Sequence, residues 1–324
     1  MQVQRGMKEL KMKQDVTHRW NSTHDMLVRA DVNKPALNEC ALEDPQLPSL
    51  SPRNWVVVGQ VIALLGPFKQ LTLDFSAWSS TLASVIPAIR SLKLYIIKAS
   101  EESYFNGIQS TVNAIKESMH RRLDPWLQNR ILIVSTLLDP RYKLQFLPTE
   151  VGTDTVKHYA VQAAEECAGS QSPQHDPEPS HSNNAPAPIN LNQCYDEIAS
   201  SSRGPQLPEE NEDVLPPPTP PSSNNALRRK IEDEFNKYIG LPLLKRECDP
   251  FAWWRNAVAS GEFKYLARAA RKYLSAPSSS IESERLFSTG GHVYTAPRNR
   301  LLPQNAERLL FCNYNLRATN FKYN

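Results

Sequence analysis

The sequence predicts a mainly α fold in which two helical parts flank a linker, and three observations lead there. Apolar residues recur at three- and four-residue steps along most of the 324 positions, the spacing that gathers them on one face of a helix. Proline, serine, aspartate and glycine stand where those runs need to start and stop. Finally, 12 of the 26 prolines fall between positions 168 and 225, so helical order is interrupted once, in the middle. The hydrophobic share of 40% permits a real core, and the length suits about two domains.

Taken in order, residues 1–30 begin with a polar stretch and reach Arg19-Trp20-Asn21-Ser22-Thr23. Asn21, Ser22 and Thr23 are candidate caps for a helix carrying Met26 and Leu27. Arg19 and Trp20 either hold a strand end or stack on a base or phosphate, and a buried structural tryptophan is the alternative. The stretch through Arg29 is expected to pack poorly. In residues 31–167, Ser51-Pro52 starts a helix with proline at its first position. Trp55, Val58, Ile62, Leu65 and Phe68 follow at helical spacing, with a kink at Gly66-Pro67. Leu82 to Ile96 marks a second helix, and Ile108, Val112, Ile115, Met119 and Leu123 a third. Ile131 to Leu138 is β-branched and apolar, and reads equally as a short strand or a buried helix. Val151 to Cys167 is a further helix. These stripes read as the core of a helical bundle.

Residues 168–226 differ in kind. They hold 1 Lys/Arg against 8 Asp/Glu and few apolar side chains. Such a segment cannot bury enough surface to offset its ordering entropy, so a disordered linker is expected. Its run Pro216-Pro217-Pro218-Thr219-Pro220-Pro221 is either a spacer or a ligand for an SH3- or WW-type domain.

Residues 227–324 restart with Leu227, Ile231, Phe235 and Tyr238, and Gly240 ends that helix. Asp249-Pro250 caps one carrying Phe251, Trp253 and Trp254. Phe263, Leu266, Tyr273 and Leu274 continue at helical spacing. A short helix then follows, with Ser279 and Glu282 spaced for a capping box and Gly290-Gly291 as its stop. A last helix carries Ala306, Leu309, Leu310 and Asn313. This part holds 17 Lys/Arg against 9 Asp/Glu, a net of +8 that suits either a solvated basic face or a nucleic-acid contact.

Several classes receive no support. No uninterrupted apolar run of about 18 residues exists, so no transmembrane helix is expected. Residues 1–19 lack the apolar centre of a signal peptide. Five scattered cysteines form no CxxC pair, so neither a disulfide framework nor a zinc site is indicated, and a reducing compartment is expected.

The blocks Asp249-Pro250-Phe251-Ala252-Trp253-Trp254, Leu266-Ala267-Arg268, Arg271-Lys272-Tyr273-Leu274, Ala276-Pro277-Ser278-Ser279, Ser283-Glu284-Arg285-Leu286-Phe287-Ser288, Arg298-Asn299-Arg300-Leu301 and Leu309-Leu310-Phe311 occur in that order. Together they resemble the C-terminal dimerisation region of hAT-superfamily transposases, and most closely their domesticated relatives, the BED-type zinc-finger proteins. Arg19-Trp20 and Leu138-Asp139-Pro140-Arg141-Tyr142-Lys143 resemble further blocks of that family.

The resemblance implies a truncated ribonuclease-H-like core. Residues 1–30 would be its remnant, 31–167 its helical insertion and 227–324 its dimerisation domain. It also implies DNA cleavage by two aspartates and a glutamate holding Mg2+, and the glutamate maps onto Glu284. The two aspartates of the family lie upstream of the Arg-Trp block and have no counterpart here. A C-terminal fragment or truncated derivative is therefore expected, with Glu284 an inactive remnant, no resident metal and no transposition activity of its own. An active transposase is the alternative if the missing aspartates are supplied. His292 is not assigned as a ligand.

The resemblance further implies a nuclear protein that dimerises with itself or with related hAT-domain proteins and has no membrane partner. Trp253, Trp254, Phe263, Leu266, Tyr273, Phe287, Leu309 and Leu310 are the expected core and dimer surface. The alternative for these eight is that they fill a monomer core. Arg19, Trp20, Arg268, Arg271, Lys272, Arg285, Arg298 and Arg300 are the expected DNA contacts.

Overall fold

In the computed structural model, the described residues are 9–168 (without 18 and 78), 223–293 and 301–318. They contain twelve α-helices and no strands. The helices are α1 Trp20–Val32, α2 Lys34–Glu43, α3 Pro52–Phe75, α4 Val85–Glu101, α5 Gln109–Leu127, α6 Arg130–Leu138 and α7 Thr153–Ala168. After the central segment come α8 Ser223–Gly240, α9 Pro250–Ala259, α10 Leu266–Leu274, α11 Ile281–Val293 and α12 Pro303–Ala318. Short 3-10 turns at Leu82–Ser84 and Ser103–Ile108 complete the path. Of the expected linker 168–226, residues 169–222 with the proline run lie outside the described residues, whereas Ala168 ends α7 and 223–226 open α8.

Local chemistry accounts for several boundaries. Ser51 accepts from the Asn54 amide (3.2 Å) and caps α3, with Pro52 at the first helical position. Asp249 does the same for α9 by accepting from the Phe251 amide at 2.8 Å. Asn129 decides the ambiguous run at 131–138. Its side chain accepts from the Ile131 and Leu132 amides (2.9 and 3.2 Å) and starts a helix. Residues 132–138 are then all buried, which explains their uniformly apolar reading.

Five expectations are corrected. The helix expected to start at Asn21–Thr23 begins at Trp20, and the Ser22 and Thr23 hydroxyls instead hold the Asp15 carboxylate at 2.6 and 3.0 Å. Those two donors keep Asp15 below its ordinary carboxylate value. Nor does the α1 part of the stretch through Arg29 pack poorly. α1 lies against α3, His24 is buried, and Asp25 pairs with Lys69 of α3.

The capping box between Ser279 and Glu282 does not form. Ser279 Oγ donates to the Phe75 carbonyl (2.8 Å), and Glu282 pairs with Arg285. Gly290 and Gly291 do not stop the short helix, which runs through both to Val293.

The last correction concerns α3. It is long and apolar enough to cross a membrane by length and composition, with a mean hydropathy of 1.5 over an 18-residue window. Gln60, Lys69 and Gln70 interrupt its apolar run. Here Trp55, Leu64 and Leu71 are buried, and α1, the turn Ser103–Ile108 and α4 pack along the helix.

One hydrophobic cluster runs from Leu64 to Leu274 and draws on both sides of 169–222. α7 lies against α8 and α10, and α6 against α10. The two helical parts therefore share a core. α11 and α12 stand apart from it and pack chiefly on each other.

Candidate functional site

The block Leu138-Asp139-Pro140-Arg141-Tyr142-Lys143 is the seam between the two parts. Asp139 is fully buried and grips Arg141 with both oxygens, accepting from Nε at 2.9 Å and from the terminal guanidinium nitrogen at 2.7 Å. The Arg141 amide adds a third bond to the same carboxylate at 3.0 Å. Burial alone would lower the Arg141 guanidinium, but Asp139 overrides it and raises it above its ordinary value.

Lys143 is also buried and sits at φ 45°, a left-handed backbone that costs a lysine energy unless its surroundings fix it. Its ammonium donates to the Tyr238 and Leu241 carbonyls, each at 2.7 Å, at the C-terminal end of α8. It also lies 4.5 Å from the Tyr238 ring centre. Burial pushes Lys143 down to about 8, which leaves it protonated at neutral pH.

The C-terminal part answers these contacts. Tyr238 donates its hydroxyl to the Leu137 carbonyl (3.0 Å), and Trp254 donates Nε1–H to the Leu138 carbonyl (2.8 Å). The Leu244 amide reaches the Pro140 carbonyl at 2.9 Å. Tyr238, Trp253, Trp254 and Phe263 form an aromatic cluster with ring centres 4.9 to 6.0 Å apart. Phe263 also adopts a left-handed backbone (φ 53°), next to Gly261 at φ 81°. The Glu234 carboxylate then caps α10 by accepting from the Tyr265 and Leu266 amides at 3.0 and 2.9 Å.

The expected association residues divide into two groups. Trp254, Phe263 and Leu266 are buried, and Trp253 and Tyr273 are half-buried against the same core. Phe287 is 77% exposed and outside that core. Leu309 is exposed as well, and Leu310 is half-buried with its side chain 3.5 Å from where a Cβ on Gly290 would stand. α11 is tethered to the helical core through the residues just before it. The Leu82 amide donates to the Ala276 carbonyl at 3.0 Å, and the Ser80 and Ser278 hydroxyls lie 2.6 Å apart.

Among the expected DNA contacts, Arg268, Arg271 and Lys272 share one exposed face of α10. Arg285 is exposed but paired with Glu282, while Arg19 and Trp20 stand at the start of α1. Arg298 and Arg300 lie outside the described residues, as does the His292 side chain. Glu284 is exposed and accepts from Ser280 Oγ at 2.7 Å. Among the described residues no three His, Cys, Asp or Glu side chains gather in a way that could hold a metal ion.

The seam and the projecting helix pair fall within a stretch shared with known proteins. Residues 234–316 match the hAT family C-terminal dimerisation region. Beyond that region, the chain is distantly homologous over most of its length to BED-type zinc-finger proteins and hAT transposases. It is 27% identical over 315 residues to the human (Homo sapiens) zinc finger BED domain-containing protein 4, covering 96% of this chain and 24% of that protein. It is 26% identical over 328 residues to the Mus musculus zinc finger BED domain-containing protein 6, covering 96% of this chain and 32% of the relative. To the putative AC transposase of Zea mays it is 26% identical over 316 residues, covering 91% of this chain and 36% of that protein. The chain thus spans roughly a quarter to a third of the length of these relatives.

The hAT region begins at Glu234, the residue that caps α10 from α8. Sequence reading missed that role, since nothing local separates Glu234 from other surface acids on α8. The Asp139–Arg141 seam was legible as a block but not as a junction. Its partners lie about a hundred positions downstream.

Proposed function

We propose that this chain is a transposase-derived association module in which the hAT dimerisation region brings two copies together. The observation that carries this reading is the exposure of Phe287, Leu302, Leu309 and Phe311 within the matched residues 234–316, on helices lying off the shared core. Large apolar side chains grouped on a surface mark interaction sites. Sedimentation equilibrium of the whole chain tests it: a concentration-dependent dimer is expected, and a strict monomer at high micromolar concentration refutes it.

The finer reading places the helices on a ribonuclease-H-like ancestry, with residues 31–167 as its helical insertion, and the protein in the nucleus. Imaging of the tagged chain tests the last point, and exclusion from the nucleus would refute it. The chain alone serves association and not strand cleavage, a reading supported by Glu284, which is exposed and engaged with Ser280. Metal-dependent cutting of transposon ends that disappears in Glu284→Gln would overturn this.

A second reading, contact with DNA phosphates, is favoured at α10. Arg268, Arg271 and Lys272 project from one face, and none forms an ion pair among the described residues. Such contacts release counterions, so affinity should fall steeply with salt, and a triple alanine variant should flatten the slope. Binding that ignores salt, or survives that variant unchanged, removes this reading.

A further inference from the structure

α12 carries two apolar stripes, besides the exposed Phe311 on its far side. Ala306, Leu310 and Tyr314, at four-residue steps, are buried or half-buried and turn towards α11, where Leu310 lies beside Gly290. Roughly a quarter turn away stand Leu302, Leu309 and Leu316, which are 63%, 51% and 37% exposed. Leu302 is the residue whose carbonyl accepts the first amides of the helix, from Asn305 and Ala306. The stripe therefore runs the length of α12, about 21 Å at 1.5 Å per residue. Nothing among the described residues covers it.

The stripe has a property that selects its partner. Leu302 and Leu316 lie equally far in sequence from Leu309, so the pattern reads the same in both directions. Asn305 and Asn313, four positions to either side of Leu309, are also exposed on this face. Glu307 and Arg308 project elsewhere at 100° per residue, so among the described side chains the strip carries no charge. A two-fold interface demands that one patch be complementary to itself. Antiparallel apposition of two such strips meets that demand. Leu309 meets Leu309, and each Leu302 meets a Leu316.

We infer that the dimer contact is made by α12 against α12 of a second copy, antiparallel and centred on Leu309. This rests on the self-association reading and names its surface and register. It assigns the buried tryptophans a role in holding the core, and the exposed leucines the contact between copies.

The test uses the full chain in a Cys248→Ser, Cys312→Ser background, with and without Leu309→Cys. Under mild oxidation the Leu309→Cys chain is expected to form a covalent dimer while the background does not. In parallel, Leu309→Arg in the unmodified chain should weaken self-association by about a hundredfold or more, as expected for a charge forced onto its own copy at the centre of a contact. Val258→Arg, an exposed apolar position on α9, should leave it unchanged. Circular dichroism melts confirm that each variant folds, and if Leu309→Arg does not, the crosslink decides.

A chain that dimerises but neither crosslinks at position 309 nor responds to Leu309→Arg overturns the register and surface while leaving self-association intact. A monomeric parent chain refutes both.

Discussion

Removing the Asp139 carboxylate is expected to cost the fold about 3–5 kcal/mol, because it strands a largely buried guanidinium. Asp139 and Arg141 make three hydrogen bonds within one turn of chain, and Asp139 is completely out of solvent. Asp139→Ala should therefore lower the urea midpoint sharply. Asp139→Ala combined with Arg141→Met should recover part of the loss, since the unpaired charge goes with it. A loss below about 1 kcal/mol in the single variant would show that the pair is replaceable by water. The tryptophans act at the same scale. Trp254 Nε1 and the Tyr238 hydroxyl satisfy the Leu138 and Leu137 carbonyls that end α6. Their conspicuous aromatic character in the sequence therefore reflects a polar task as well as an apolar one.

Among the elements, α11 departs furthest from expectation. Two glycines inside a helix weaken it, since each loses more backbone freedom than alanine would. A Cβ at Gly290 would meet Leu310 Cδ1 at 3.5 Å, an ordinary contact, and one at Gly291 would meet nothing within 4 Å. Gly290→Ala and Gly291→Ala are each expected to stabilise the chain by about 0.5–1 kcal/mol in thermal melts. Destabilisation by either would mean that this segment must leave the helical state in solution. The misreading of Ser279 has the same origin. Its hydroxyl was available as a cap, but the Phe75 carbonyl at the end of α3 took it. Ser80, Leu82, Ala276 and Ser278 tether α11 at that same place.

For the whole molecule, the shared core makes a specific demand on the halves. Leu137, Leu138, Val161 and Ala164 from one side of 169–222 pack in one cluster with Ile231, Tyr238, Leu266 and Ala270 from the other. A polypeptide of residues 223–324 alone exposes that surface and is expected to be poorly soluble or without a cooperative melt. Co-expression with residues 1–168 should restore both. Cooperative folding of the C-terminal piece by itself would show that the seam is dispensable. The basic face of α10 and the leucine stripe of α12 lie on opposite sides of the Ala276–Ser280 tether in the chain. Phosphate contact and self-association can therefore be altered separately by mutation.

Much of this was legible in the residues. Helical periodicity, the Ser51-Pro52 and Asp249-Pro250 starts and the Gly240 stop are local physics, settled within one turn by hydrogen bonds and steric fit. The family blocks were legible for the same reason, since they are short runs of fixed chemistry. What those runs touch was decided only by the tertiary structure. Arg141 and Lys143 find partners about a hundred residues away, Glu234 caps a helix it does not belong to, and Ser279 answers a carbonyl of α3. Exposure too was undecided. Leu266 and Leu309 read alike as apolar helical residues, yet one is fully buried and the other open. The periodicity of a helix states which side chains share a face, but only the packing of the other helices determines whether that face is filled from within the chain or left for a second copy.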